Sequence, residues 1–292
     1  MNNIKFAGFG WDGYTGQITR IKEGFKSLGH ELTYDNPDII FCNDPGQYVK
    51  AIQHKQKYPK AFLILNFLDI PWHFPDVLKK ITNEAKLMKI ADMVTVISHK
   101  VKKDLSGFYE GKIEVIYNPI KDVEYNSDTK KENEFLYVGR ANDPVKRIKL
   151  VYEALKILNK ENELIICGME DPKFGKYMGV VKDDELGKLY NKSKIVLLPS
   201  KAEGLGLTMI EGMVCGSVPI VCSDNLTAKE FISDEFVAEP NPESIKNKIE
   251  EINKNYEKFH KLSLEYAEKF KIQFNKKTIA KNIIDIFSKY KK

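Results

Sequence analysis

The sequence alternates between short apolar runs and longer amphipathic stretches, and this alternation is the feature that most constrains its fold. Short runs rich in branched and aromatic residues predict buried strands, and apolar residues at three- and four-residue spacing predict helices. Strands are predicted at 4–10, 38–43, 61–67, 93–98, 113–118, 134–140, 163–168, 194–200, 218–223 and 236–240, and helices at 16–28, 46–57, 76–90, 99–108, 147–159, 183–191, 208–215 and 242–254. Such alternation predicts an α/β fold of parallel βαβ units.

The alternation is interrupted once, over 118–134, where the sequence is polar and charged without a hydrophobic period. This stretch predicts an interdomain linker, so that residues 1–118 form one doubly wound domain and residues 119–272 form a second. The tail over 256–290 predicts two more helices, which turn near 274–275. The last helix, within 273–292, can pack on either domain, and a return to the first domain is one of the two arrangements.

Composition limits the class of protein. The chain has 292 residues, 42% hydrophobic and 30% charged, which is ordinary for a soluble globular protein. No stretch reaches the roughly 18 apolar residues of a membrane span, and the N-terminus lacks a secretory pattern, so a cytoplasmic location is expected. The four cysteines form no C-x-x-C pair and are expected to be buried free thiols. A net charge of +5 favours anionic ligands without establishing nucleic-acid binding.

Ligands of open α/β sheets bind beyond the carboxyl ends of the strands, so the loops that follow the predicted strands are the candidate sites. The first such loop carries Gly8, Gly10, Gly13 and Gly16. These glycines allow either a close approach by a ligand or only a tight strand-to-helix turn, and they do not form the dinucleotide fingerprint.

Two later loops carry polar and charged residues. In LDIPWHFPD, Asp69 or His73 either contacts a substrate hydroxyl or belongs to a rigid surface loop. In VGRANDPVKRIKL, Arg140 follows a strand, and Lys146 and Arg147 open a helix. Cations at a helix N-terminus oppose the helix dipole unless an anion lies nearby, which suggests a phosphate between Arg140 and Lys146. The alternative is that both are solvated surface residues.

The stretch PSKAEGLGLTMIEGMVCG at 199–216 places Glu203 before a predicted helix and Glu211 within it. The helical angles put Glu211 away from the apolar stripe of that helix, so it is expected to face a cleft or solvent. The helix N-terminus would offer amides to an anion, and the two carboxylates would accept hydrogen bonds from hydroxyls. Phosphate plus hydroxyls describes a nucleotide sugar. The alternative is a capping box between Thr208 and Glu211, with Glu203 a turn residue.

Together these residues resemble the retaining glycosyltransferases of family 4, which have the GT-B fold. The family signature, two glutamates separated by seven residues, stands here as PSKAEGLGLTMIEGMVCGSVPIV, with YVGR, ADMVTVIS, YNP, LIICGME and LYNKSKIVLLPS as further matches. The resemblance covers the second half specifically and the first half only in outline. It departs from the family at SDNLTAKE, where the usual Gly-Gly is missing.

The resemblance implies two Rossmann-like domains facing a central cleft, and it implies roles by position. Arg140 and Lys146 would bind the donor diphosphate, Glu211 the ribose, and Glu203 the transferred sugar. The remaining implied donor contacts are Gly13, Gly16, Gly168, Met169, Val180, Gly204, Leu205, Gly206 and Leu207, with Asp69 or His73 presenting a group to the sugar.

The implied reaction is transfer of a sugar from a UDP- or GDP-linked donor to a hydroxyl, with retention of configuration. The sequence has no D-x-D motif, so no metal or other cofactor is expected. The acceptor stays open between a glycan, a lipid head group and a modified nucleic-acid base, with peripheral contact to the inner membrane surface or to nucleic acid as corresponding options. The rival interpretations are a non-catalytic nucleotide-sugar-binding module and an isomerase or phosphorylase of the same architecture.

Overall fold

The computed structural model describes residues 3–10, 16–68 and 78–291. The chain divides into two compact units: the first comprises 1–119 with 273–292, and the second 120–272. Each unit is built around its own six-stranded parallel sheet.

The first unit has the strand order β2-β1-β3-β4-β5-β6. Its strands are β1 (Lys5–Phe9), β2 (Glu31–Leu32), β3 (Ile39–Cys42), β4 (Phe62–Phe67), β5 (Met93–Val96) and β6 (Ile113–Val115), and its helices are α1 (Gln17–Ser27), α2 (Tyr48–Lys57), α3 (Leu78–Met88), α4 (His99–Leu105) and α10 (Lys276–Tyr290). The central strands β3, β4 and β5 are buried along their whole length, as expected for strands covered on both faces.

The C-terminal helix α10 completes the core of the first unit. Ile279, Ile283 and Phe287 are buried in one hydrophobic cluster with Phe6 and Phe25. Helix α1 approaches α10 so closely at Gly24 that an added Cβ there would lie 2.2 Å from the backbone oxygen of Lys276. The two predicted tail helices and the turn between them are confirmed, and the last helix returns to the first unit.

The second unit has the strand order β12-β11-β10-β7-β8-β9. Its strands are β7 (Asn133–Val138), β8 (Leu164–Cys167), β9 (Lys176–Gly179), β10 (Ser193–Leu198), β11 (Val218–Cys222) and β12 (Val237–Ala238), and its helices are α5 (Ile148–Ile157), α6 (Asp183–Lys192), α7 (Leu207–Val214), α8 (Pro242–Lys254) and α9 (Tyr256–Gln273), which ends at the boundary of the unit.

The predicted strands and helices are confirmed with shifts of a few residues at their ends, and β2 and β9 were not predicted. The stretch at 118–134 has no regular structure before β7 begins, yet it is not a free linker. Ile120 and Val123 are buried, and the amide of Asn126 donates to the Asn191 side chain at 2.8 Å. The four cysteines are free and buried, as predicted. Burial raises the pKa of Cys42 to about 12 and that of Cys167 to about 11.

Candidate functional site

The candidate site lies at the carboxyl ends of β7 and β10, which are neighbours at the centre of the second sheet. From β7 the chain continues outward through β8 and β9, and it then returns to the other side through β10, β11 and β12. This reversal is the topological switch point of a doubly wound sheet, where the loops of adjacent strands separate and leave room for a ligand.

The loop that follows β7 is held in shape by its own side chains. Arg140 pairs with Asp143 at 2.7 Å, and Asp143 also accepts from the amide of Val145 at 2.9 Å. The guanidinium of Arg140 remains more than half exposed. Arg140 therefore lies at the predicted place with its cation accessible to a ligand.

Lys146 and Glu203 form an ion pair in the site. Lys146 Nζ lies 2.5 Å from Glu203 Oε1, and the two side chains are only 18% and 13% exposed. The sequence placed both residues in one site but predicted a phosphate as the partner of the cation. The neighbouring anion is a carboxylate, so a phosphate at Lys146 would share or displace it.

Arg147 links three loops, and no role was predicted for it beyond that of a cation near a helix N-terminus. Its Nε donates to the backbone oxygen of Pro199 at 2.9 Å, and its two terminal nitrogens donate to the carboxylate of Asp224 at 2.8 and 2.7 Å. Its backbone is left-handed, with φ 49°, and it precedes the first turn of α5. Asp224 lies in the stretch where the sequence departs from the family pattern, and that departure was the available signal.

The loop 199–206 leads from β10 into α7. Lys201 donates its amide to the backbone oxygen of Val145 at 2.9 Å, which adds a backbone hydrogen bond to the side-chain bonds between the loops after β7 and β10. Gly206 is the N-cap of α7 with φ 84° and ψ 40°, a left-handed conformation that favours glycine. The first amides of a helix have no acceptor within the helix, so the α7 N-terminus offers donors beside Glu203.

Glu211 corrects two sequence-based expectations. It is 3% exposed, so the expectation that it faces a cleft or solvent is wrong. Its carboxylate accepts from the Lys121 amide at 3.1 Å and from the Tyr190 hydroxyl at 3.3 Å. The helical angles correctly turned Glu211 away from the apolar stripe, but α6 and the segment before β7 cover that face.

The capping box between Thr208 and Glu211 is also wrong. Helix α7 begins at Leu207 after the left-handed Gly206, and no side chain caps its first amides. The carboxylate of Glu211 instead bonds to Lys121 and Tyr190. Capping therefore does not explain either glutamate.

The loops after β8 and β9 carry the residues assigned to the base of a nucleotide. Gly168 donates its amide to Gly179, and a Cβ at Gly168 would lie only 2.0 Å from the backbone oxygen of Gly139. Glycine at 168 is thus required by the close packing of the loop after β8 against the loop after β7. Met169 and Val180 are large apolar side chains that are half exposed, as expected of surfaces against which a flat ring could stack.

The loop ends of β10 and β11 bury three polar side-chain atoms that have no hydrogen-bond partner in the described part of the chain. They are Ser200 Oγ, Asn225 Nδ2 and Thr227 Oγ1. Buried polar atoms are nearly always hydrogen-bonded to protein, water or ligand. These three atoms mark the ends of β10 and β11 as places where further hydrogen-bond partners could be taken up.

Four of the residues predicted to contact the donor belong to the first half of the sequence. Gly13, Asp69 and His73 lie outside the described residues. Gly16 is described, and it is the left-handed N-cap of α1 with φ 54°. Its conformation explains why glycine stands there whether or not a ligand approaches it.

The described residues contain neither a metal-ligand cluster nor a helix suited to a membrane span. Within 3–10, 16–68 and 78–291, no group of three or more histidine, cysteine or acidic side chains is arranged to hold a metal ion. The helices of the same ranges include none whose length and hydropathy would suit a membrane span.

Two Rossmann-like units with parallel sheets define the GT-B class of fold. The solved structure of HepE from Anabaena, in complex with UDP and glucose, matches with a TM-score of 0.78 at 16% identity and covers 98% of this chain and 100% of that one. The family model described as glycosyl transferases group 1 matches residues 120–270, just over half of the chain. The chain belongs to this family.

Two relatives in sequence add to this. The O-antigen chain mannosyltransferase RfbU of Salmonella typhimurium is 30% identical over 176 residues, which are 53% of this chain and 49% of that protein. An N-acetyl-D-galactosaminyltransferase of Campylobacter jejuni, named for a saccharide on PP-undecaprenol, is 25% identical over 223 residues, 63% of this chain and 62% of that protein. The chain thus spans less than two thirds of the length of either relative.

Proposed function

We propose that the protein is a glycosyltransferase that moves a sugar from a nucleoside-diphosphate sugar to a hydroxyl acceptor with retention of configuration. The observation that carries the proposal is the pair of Lys146 and Glu203 before the α7 N-terminus at the switch point, with the exposed guanidinium of Arg140 on the same loop as Lys146. HepE, the solved relative in fold, binds UDP and glucose, which supports a uridine nucleotide as the first donor to test.

Each residue has a role that follows from its charge and position. Arg140 and Lys146 bind the diphosphate together with the backbone amides of Gly204 to Leu207, which lie just before and at the start of α7. Glu211 is given no ribose contact, because it is buried and its carboxylate is bonded to the Lys121 amide and the Tyr190 hydroxyl. Met169 and Val180 flank the base, and Gly168 forms the tight turn before Met169. Glu203 orients the transferred sugar. The resemblance also assigns contacts with the donor to Gly13, Gly16, Asp69 and His73.

The reaction breaks the bond between the anomeric carbon and the phosphate oxygen and forms a bond from that carbon to the acceptor oxygen. The acceptor proton passes to the leaving diphosphate on the same face of the sugar, which accounts for retention. Charge grows on the diphosphate as its bond breaks, and Arg140, Lys146 and the helix amides stabilise that charge.

We propose that the reaction needs no metal ion, since the sequence has no D-x-D motif and Arg140 and Lys146 supply positive charge at the diphosphate. Equal transfer rates in EDTA and in added Mg²⁺ or Mn²⁺ are expected. Loss of activity in EDTA that returns with one of these ions would contradict this part of the proposal.

The acceptor is proposed to be the hydroxyl of a saccharide, free or lipid-linked, because two relatives are named for an O-antigen chain and for a saccharide on PP-undecaprenol. The four free thiols favour a reducing compartment, so the donor would be a cytoplasmic nucleotide sugar and lipid-linked acceptors would be met at the inner membrane surface. Saccharide, lipid-linked saccharide and DNA with hydroxymethylated bases form the acceptor panel.

The test begins with binding. UDP, GDP and their sugars are screened by thermal shift, and the stabilising sugar nucleotide is then assayed for hydrolysis and transfer, with the anomeric configuration of the product read by NMR. Lys146→Ala should lose the stabilisation. Lys160→Ala should keep it, because its ion pair with Glu163 lies before β8, at the opposite end of the sheet.

Stabilisation by no nucleotide sugar would refute the proposal. Stabilisation without hydrolysis or transfer across the acceptor panel would favour a non-catalytic binding module. An inverted product would contradict the retaining mechanism alone.

A further inference from the structure

We propose that Arg147 is a positioning residue that aligns the catalytic loop 199–206 with the loop after β7. This inference rests on the proposed function, and it assigns Arg147 no contact with the substrate. The guanidinium is occupied, since it donates once to the Pro199 backbone and twice to the Asp224 carboxylate at 2.7 to 2.9 Å.

The hydrogen bonds of Arg147 reach the loops that follow two neighbouring strands, β10 and β11. Pro199 is the first residue after β10 and opens the loop that carries Glu203. Asp224 lies just beyond β11, the next strand of the sheet. The two bonds to Asp224 and the bond to Pro199 all come from the planar guanidinium of Arg147. They therefore fix the ends of β10 and β11 relative to the loop after β7, which carries Lys146 and Arg147.

The backbone of Arg147 supports the same role. A left-handed φ of 49° is unfavourable for arginine, and glycine would adopt it without cost. The chain nevertheless places the longest cationic side chain at this point, and that side chain is only 18% exposed. The conformation turns the chain directly after Lys146, so Lys146 points toward Glu203 while Arg147 points toward Asp224.

Arginine rather than lysine is required by the geometry. A planar guanidinium can bind a carboxylate with two parallel bonds and still donate through Nε, whereas an ammonium is a point donor. Arg147→Lys should therefore keep the charge and lose the alignment. Lys146, which meets a single carboxylate oxygen, needs no such fork.

The test uses Arg147→Gly, which removes the side chain and suits the left-handed backbone. We expect the melting temperature to stay the same or rise, and kcat for transfer to fall about 10- to 100-fold, the scale of a small misplacement of reacting groups. The Kd for the nucleoside diphosphate should stay within about threefold, because Arg140 and Lys146 remain.

Three further measurements distinguish a positioning role from a loss of charge or of stability. Asp224→Ala should lower kcat by the same factor or less, since it leaves the Arg147 bond to Pro199, and the double variant should be no slower than Arg147→Gly, which already lacks the contact with Asp224. Arg147→Lys should resemble Arg147→Gly in kcat. Added guanidinium ion should restore part of kcat in Arg147→Gly and none in Lys160→Ala, whose unmodified rate should equal that of the wild type.

Hydrogen–deuterium exchange gives a readout that needs no activity. Exchange should increase over 199–206 and 223–228 in Arg147→Gly and remain unchanged in Lys160→Ala. Unchanged exchange in both segments, or a normal kcat, would overturn the role of Arg147. If the wild type transfers no sugar, the proposed function fails, and the exchange experiment still decides whether Arg147 holds the two loops.

Discussion

The ion pair between Lys146 and Glu203 leads to a prediction in which binding and catalysis move in opposite directions. If a diphosphate binds Lys146, it must share that ammonium with the Glu203 carboxylate, whose Oε1 lies 2.5 Å from Lys146 Nζ. Replacing Glu203 with Gln removes one negative charge from the shared cation and keeps the size of the side chain. The variant should therefore bind the nucleoside diphosphate more tightly than the wild type.

The magnitude follows from the geometry of a shared cation. Two anions that each lie at hydrogen-bond distance from one ammonium are roughly 5 Å apart, which gives a repulsion of about 0.8 kcal/mol at a dielectric of 80 and about 3 kcal/mol at 20. Both side chains are more than four-fifths buried, which favours a value between these limits. About 1.5 kcal/mol corresponds to roughly tenfold tighter binding.

The assay is calorimetric titration of UDP and GDP at low and moderate salt, together with transfer kinetics. Glu203→Gln should bind the diphosphate about tenfold more tightly while kcat falls by about 100-fold or more, because the carboxylate that orients the sugar is lost. Lys146→Ala should lose affinity, and Glu163→Gln, which removes an exposed carboxylate at the other end of the sheet, should change neither value.

Equal or weaker binding by Glu203→Gln would refute the competition between carboxylate and phosphate. It would mean that Lys146 serves Glu203 alone and that the diphosphate is held elsewhere. A variant that binds more tightly but retains its kcat would instead remove Glu203 from the reaction while leaving the phosphate site intact.

Three further predictions concern single elements of the second unit. Glu211→Ala should lower the unfolding free energy by about 1–3 kcal/mol in urea unfolding, because the Lys121 amide and the buried Tyr190 hydroxyl lose their acceptor, and Tyr190→Phe should lower it less, because Glu211 keeps its bond to Lys121. Gly168→Ala should lower the unfolding free energy by about 1–3 kcal/mol in urea unfolding, because the added Cβ would lie 2.0 Å from the backbone oxygen of Gly139. Gly187→Ala should leave that free energy unchanged or raise it, because Gly187 lies within a helix and its added Cβ would meet its nearest atom at 3.4 Å. Burial lowers the pKa of Lys131 to about 8, below the unfolded value of about 10.4, so the unfolded chain binds more protons between these values and stability should rise with pH across that interval. Relative to Lys131→Met, the wild type should gain about 2–3 kcal/mol between about pH 7.5 and 10, and a constant difference would contradict the shift.

The order of strands and helices could be predicted because the buried strands are continuous apolar runs. Strands β3, β4 and β11 are buried at every position, and each stands out in the sequence for that reason. Strands β2 and β9 were missed because both lie at sheet edges and are largely exposed, so neither requires an apolar run. Propensity and pattern carry little information where a strand is not buried.

The candidate site could be predicted in its members but not in its pairings. Arg140, Lys146 and Glu203 follow the ends of β7 and β10, and parallel strands bring such residues to one edge of the sheet. The burial of Glu211 depends on a segment 90 residues earlier in the chain, whose Lys121 amide contacts it. No local period encodes that contact, and the same holds for Arg147 and Asp224, which are 77 residues apart.

The neighbouring cations Lys146 and Arg147 form two different ion pairs. The pair of Lys146 with Glu203 can rearrange, whereas the pair of Arg147 with Asp224 is held by several hydrogen bonds. Both lie at the start of α5, where positive charge is unfavourable unless anions are close, and the chain supplies Glu203 and Asp224 for this purpose. The single-point contact of Lys146 leaves an ammonium that an incoming phosphate can share. The three bonds of Arg147 leave no comparable opening, so the loops stay aligned while the first pair rearranges. Under the proposed function, the positive charge of Lys146 is balanced by Glu203, and the diphosphate would gain the full attraction of that cation only if Glu203 turned from it toward the sugar.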